Sequence, residues 1–181
     1  MKATGIVRRI DDLGRVVIPK EIRRTLRLRE GTPLEIFTDR EGEIILKKYS
    51  PMVELAAFAV QYAEAMAQST GLMVCIADRD QIIAVSGGPK KEYYQKTISR
   101  ALEHVIEERT VIQAGKEDRN FTPVTDDDGD SITAQVITPI ICEGDAIGAV
   151  IIMSREPRAK FSDPELRLAA TAAGFLGRQM E

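Results

Sequence analysis

A chain of 181 residues, 44% hydrophobic and with a formal net charge of −3, has the composition of a globular protein of one domain or two small ones. No apolar run approaches the ~18 residues a membrane span needs, and the polar N-terminus lacks the apolar core of a secretory signal, so the reading is cytoplasmic, with no membrane partner. Two cysteines and one histidine argue against a structural zinc centre; Cys75 and Cys142 lie in apolar runs, where buried reduced thiols are expected rather than a disulfide.

The charge is divided along the chain. Residues 1–50 carry twelve basic and eight acidic side chains, and residues 51–181 carry 13 and 20, so a net of +4 is followed by −7. An acidic whole therefore hides a basic module. The boundary is read at Ser50 and Pro51, giving domains 1–50 and 51–181. The basic character concentrates in GIVRRIDDLGRVVIPKEIRRTLRLR, residues 5–29: the first 29 residues hold nine Lys and Arg against three acids. Seven of those nine are arginine, whose planar fork grips phosphates and guanine edges where lysine acts as a point charge. A basic stripe on a helix is often only a solvated face, but here Arg8, Arg9 and Arg15 flank it, and the cluster points to a polyanion partner.

Ile6 to Ile10 and Gly14 to Ile18 read as a strand pair around Asp11, Asp12, Leu13 and Gly14, with the β-branched Val16, Val17 and Ile18 suited to a strand buried on both faces. Pro19 closes that strand and pre-sets a helix over Lys20 to Leu28, which Gly31 stops. On this helix Lys20, Arg23, Arg24 and Arg27 share one face, while Ile22 and Leu26 share the other. A second strand pair, Pro33 to Thr38 and Glu43 to Lys48, turns at Asp39 to Gly42. Some fifty residues with open edges bury too little alone, so the module is expected to fold by interleaving with a second copy as an obligate dimer.

TGIVRRIDDLGRVVIPKEIRRTLRLREGTPLEIF followed by EIILKKY closely resembles the swapped-hairpin DNA-binding domain of AbrB-type transition-state regulators. The whole chain resembles the stage V sporulation protein T family. The resemblance implies an α+β fold: an N-terminal swapped-hairpin β-barrel dimer that lays arginines from both subunits on double-stranded DNA, followed by a GAF-like antiparallel sheet with packed helices. It implies DNA contacts at Arg8, Arg15, Arg23 and Arg24, with Arg9 at a position also basic in relatives. Adding the other basic residues of the stripe gives Arg8, Arg9, Arg15, Lys20, Arg23, Arg24 and Arg27 as the candidate interface.

The second domain opens with a helix over Met52 to Ser69, ended by Gly71, in which Leu55, Ala59, Tyr62 and Met66 step as a two-heptad seam. The last helix starts with a capping box at Ser162 and Glu165 and repeats the stepping at Leu166, Ala169, Ala173, Leu176 and Met180. The two Ala-rich seams are expected to pack together, and a second subunit adding its own pair would build a tetramer. Between them, Leu72 to Ala77, Gln81 to Ser86, Ile132 to Cys142 and Ala146 to Ser154 read as strands, Glu92 to Glu108 as a helix with Tyr94, Ile98, Leu102, Val105 and Arg109 near one face, and Val111 with Ile112 as a short edge strand. This order resembles a GAF domain, and families of that type hold small molecules between sheet and loops, which implies a sensor for an unidentified effector.

Weaker features leave alternatives open. Ser86 to Lys91, with Gly87 and Gly88, could wrap a phosphate, although a Gly-Pro turn is the simpler reading. Asp126, Asp127, Asp128 and Asp130 miss the ligand spacing of an EF-hand and read as a solvated turn. His104 sits mid-helix among Glu103, Glu107 and Glu108. No catalytic residue, metal or cofactor is expected. Three classes compete: a transcription regulator, activating some late sporulation genes and repressing others; an antitoxin, whose usual disordered tail is absent here; and a GAF-type methionine sulfoxide reductase, for which Cys75 and Cys142 lack cationic neighbours in sequence. The regulator, associated with the nucleoid, is the reading adopted.

Overall fold

The computed structural model describes residues 6–49, 56–127 and 131–180. These form two compact units, the first ending at Tyr49 and the second holding the rest. Of the expected features, the Ser50–Pro51 boundary, the start of the helix at Met52, Leu55 and Asp128 to Asp130 lie outside the described residues.

In the first unit, helix α1 (Lys20–Thr25) is followed by strands β1 (Leu34–Thr38) and β2 (Ile44–Lys48), paired antiparallel with Ile36 opposite Leu46. The first hairpin departs from expectation. Residues 6–19 form a turn but no ladder; the Asp11 N–H donates to the Arg15 carbonyl at 3.1 Å and the Gly14 N–H to the Asp11 carbonyl at 3.0 Å. Nor does the single chain close a barrel, because β1 and β2 make an open two-stranded sheet. The reason is coverage. Val16 and Val17, suited to a strand buried on both faces, are 54% and 69% exposed, and an isolated hairpin is marginal in water. Among the described residues of this unit, Pro19 alone is buried.

The end of α1 is a second correction. The helix stops at Thr25 rather than Leu28, and not through Gly31: the Leu28 N–H donates to the Arg23 carbonyl at 2.7 Å and the Arg27 N–H to the Arg24 carbonyl at 3.3 Å. This is a Schellman closure in which Arg27, at φ 50°, holds the left-handed position glycine usually takes.

The second unit is a five-stranded antiparallel sheet in the order β4-β3-β7-β6-β5, built from β3 (Met73–Asp78), β4 (Ile82–Ser86), β5 (Ile112–Gly115), β6 (Ala134–Cys142) and β7 (Asp145–Ser154). Both faces are covered, so β3 is buried along its whole length. On one face lie α2 (Ala56–Thr70) and α5 (Asp163–Arg178). Their small residues Ala59, Ala63, Ala169, Ala172 and Ala173 join Val74, Ile76, Val136 and Ile152 in one apolar cluster. The rings of Tyr62 and Phe175 stack at 5.2 Å. At the start of α5 the Glu165 carboxylate accepts the Ser162 N–H at 2.8 Å, which holds its pKa below the usual carboxylate value. Gly177 lets α5 approach β6 closely; a β-carbon there would lie 2.1 Å from the Ile141 carbonyl oxygen. Gly177→Ala is therefore expected to lower stability by about 1–3 kcal/mol through overpacking, although alanine is the better helix former by ~1 kcal/mol. Denaturant unfolding measures the sign, and a stabilised variant would mean that α5 has slack against the sheet.

On the other face a single helix over Glu92 to Glu108 was expected, and the chain instead forms α3 (Lys90–Tyr93) and α4 (Arg100–Glu107). Between them Gln95 takes φ 60°, the Ile98 N–H donates to the Asp80 carbonyl at 2.9 Å, and Ser99 caps α4 by accepting the Leu102 N–H at 3.0 Å. The break also changes which tyrosine is packed: Tyr93 is 2% exposed and Tyr94 38%. Tyr93, Ile98, Leu102, Val105 and Ile106 form the second apolar cluster with Cys75, Ile137 and Ile151.

Candidate nucleic-acid interface

The turn from Asp11 to Gly14 positions Arg15. Asp11 Oδ1 accepts the backbone N–H groups of Leu13 at 3.0 Å and Arg15 at 2.8 Å, and Oδ2 accepts Arg15 Nε–H at 2.8 Å. Gly14, at φ 76°, supplies the left-handed step that closes the turn. The Arg15 backbone N–H first, and its guanidinium next, hold the Asp11 carboxyl below its ordinary value. A depressed folded-state pKa stabilises the turn above the unfolded value, and that contribution is lost as pH falls through the lowered one. The ion pair uses Nε, and the Arg15 side chain stays 70% exposed.

Pro19, buried with φ −56°, starts α1, which carries Lys20, Arg23 and Arg24 into solvent. Arg23 and Arg24 fall in its last turn, where the helix dipole favours cations. Of the seven candidates, Arg8, Arg9, Arg15, Lys20, Arg23 and Arg24 are exposed, whereas Arg27 is half-buried and lies past the helix end. The four-residue basic stripe thus reaches only to Arg24. Ile22 is half-buried and Leu26 is 55% exposed, so the apolar side of α1 has little to pack on within one chain. Asp11 was missed as an organising residue, though its place at the head of an Asp-x-x-Gly turn is a recognisable signal.

In the second unit, Gly87, Gly88 and Pro89 lead from β4 into α3 and line a cavity of about 380 Å³ with Met73, Met153 and Arg155. A second cavity of about 390 Å³ is lined by Lys91, Lys96, Glu92, Thr125, Asp127 and Ser131. Arg155 Nη2 donates to Glu92 Oε2 at 2.5 Å, and Glu92 first, with Tyr93 after it, raises the guanidinium pKa. Sequence separation hid this pair. His104 is exposed. Cys75 is buried as expected, while Cys142 is only half-buried; neither forms a disulfide. No described helix is long and apolar enough to cross a membrane.

Residues 54–181 match the family described as stage V sporulation protein T C-terminal, transcription factor, and residues 7–53 match antidote-toxin recognition MazE, bacterial antitoxin. The chain is 55% identical to stage V sporulation protein T of Bacillus subtilis over 182 residues, covering 100% of this chain and 99% of that one. It is 65% identical to transition state regulatory protein AbrB of the same organism over 51 residues, 28% of this chain and 52% of that protein. The GAF domain of an Acinetobacter phosphoenolpyruvate-protein phosphotransferase superposes with a TM-score of 0.57 at 10% identity, covering 74% of this chain and 84% of that one. That likeness is one of fold alone, and it shows a GAF-like sheet here.

Proposed function

Because the chain belongs to the stage V sporulation protein T family, we propose that two copies of its N-terminal module interleave and apply Arg8, Arg9, Arg15, Lys20, Arg23 and Arg24 from each subunit to promoter DNA. The protein is a DNA-binding transcription regulator of sporulation with a GAF-like C-terminal domain. One observation carries the reading: the module exposes all six of these basic side chains while burying only Pro19 among its described residues. Such a surface suits a polyanion, and such a module needs a second copy.

In this reading the arginines grip phosphates and groove edges, with Arg27 contributing least because it is half-buried. The regulator activates some late sporulation promoters and represses others. The α2 and α5 helices supply a second contact between subunits, since Phe58 and Phe175 remain 49% and 39% exposed beside the helix pair, and a tetramer results. The GAF-like domain senses a small molecule and alters DNA affinity through this assembly. In this reading the domain is not an enzyme; of the two thiols the reductase alternative would use, Cys75, with 0% exposure, is closed to attack, while Cys142 is half-buried.

Salt dependence tests the interface. If only Arg8, Arg15, Arg23 and Arg24 of each subunit pair with phosphates, up to about eight are neutralised and the slope of log K against log salt is as steep as roughly −7; phosphate contacts from Arg9 and Lys20 would steepen it. Titration of a promoter fragment across dilute to physiological salt reads the slope directly, and a flat line would exclude this mode of binding.

A further inference from the structure

Gln135 is fully buried, and among the described residues neither its Oε1 nor its Nε2 has a hydrogen-bond partner. Native folds avoid this state, because the carboxamide gives up water and gains nothing. Its surroundings show where a partner would come from. On β6 it stands between Ala114 of β5 and Met153 of β7, and Met73 of β3 is next beyond Met153. Ala114, Met153 and Met73 belong to the apolar cluster on the α4 side, so the row Ala114, Gln135, Met153, Met73 crosses that face. The same two methionines line the cavity of about 380 Å³ together with Gly87, Gly88 and Pro89. The packing against Gly88 is tight, since a β-carbon there would come within 2.2 Å of the Met73 sulfur. The cavity and the orphaned carboxamide are therefore separated by unbranched thioether side chains, which rearrange more readily than branched ones. Thr138, also buried without a partner, falls on the opposite face by strand alternation and is absent from the lining of either cavity.

We propose that Gln135 is the recognition group for a small neutral ligand that is mostly apolar and carries a lactam edge, an N–H beside a C=O, as cyclic amides and nucleobases do. A carboxamide presents the same pair in complementary order and bonds such an edge in two places. The rest of the row is apolar, so a charged ligand would lose its hydration there without compensation. The ligand enters from the cavity by displacing Met153 and Met73. This inference rests on the sensor reading of the GAF-like domain and names the chemistry that the sensor reads.

Oxindole and N-methyloxindole, which differ in the single donor, test it on the full chain. Oxindole is expected to shift the Gln135 side-chain amide resonances and to bind at least about tenfold tighter than its N-methyl counterpart, because a buried polar group rejects an analogue that leaves it unpaired. Gln135→Met keeps the side-chain length and removes the orphaned group, so it is expected to fold, to bind DNA, and to lose the preference between the two probes. Equal binding of both, no binding at millimolar concentration, an unshifted Gln135 amide at saturation, or a preference that survives Gln135→Met would each overturn the proposal. DNA affinity measured with oxindole separates the two readings. Gln135-dependent binding with no DNA response removes the sensor and leaves the recognition group; a DNA response that persists in Gln135→Met does the reverse.

Discussion

Reversing the charge at Arg15 and Arg24 together, as Arg15→Glu with Arg24→Glu, is expected to reduce promoter binding to the non-specific level or below. The proposed dimer would lose four guanidiniums by this change. Hydrogen bonds to charged groups contribute roughly 1.5–3 kcal/mol each, so the summed loss matches the ~4–10 kcal/mol that separates specific from non-specific DNA binding. Four new carboxylates facing phosphates add repulsion. Folding should survive, because the Arg15 side chain is 70% exposed, Arg24 is exposed, and Asp11 still accepts the backbone N–H groups of Leu13 and residue 15. Arg40→Glu supplies the control: it changes the net charge in the same direction from the other hairpin turn, at an exposed site. If Arg40→Glu weakens binding per charge as much as the double reversal, the effect is one of overall charge, and the named face has no special role. Promoter occupancy that survives the double reversal with dimer mass and circular dichroism unchanged would remove the interface altogether.

What the sequence revealed, and what it concealed, divides by whether the determinant is local. The turn at Asp11 to Gly14, the capping box at Ser162 and Glu165, and the β1–β2 hairpin are set by residues within a few positions of each other, and each is present. The break between α3 and α4 is not of that kind. Tyr94, Ile98, Leu102 and Val105 keep helical spacing across it, and the chain turns because Ile98 is claimed by the distant Asp80 carbonyl and pairs with Thr125. Gln135 was equally invisible. A single polar residue in an apolar run does not show whether its side chain meets solvent, and it is the helices on both sides of the sheet that bury it. For the proposed DNA face, residue types were readable, but the placing of Arg27 in a left-handed helix cap was not, since glycine at position 31 offered the more conventional stop.

Ile36→Asp is expected to unfold the N-terminal module and abolish DNA binding while the GAF-like unit keeps its own melting transition. Ile36 is 69% exposed and faces the same way as its partner Leu46, at 46%, and as Ile44, at 68%. Val7, Ile10, Val16 and Val17 are also more than half exposed. Covering one such side chain is worth about 1.5–3 kcal/mol, whereas ordering each residue costs about 1–2 kcal/mol in backbone entropy alone. A unit with Pro19 as its one buried described residue cannot meet that cost from within, and in the proposed dimer the apolar surface of a second copy supplies the remainder. A carboxylate at position 36 would then have to be desolvated in the shared core, and the module has no reserve to absorb that penalty. In that dimer association and folding are one equilibrium, so the melting of the N-terminal module is expected to depend on protein concentration. An isolated fragment spanning residues 1–55 therefore unfolds on dilution. A fragment that stayed folded as a monomer, or an Ile36→Asp variant that still bound DNA, would show that the module stands alone, and the requirement for a second copy would fall with it.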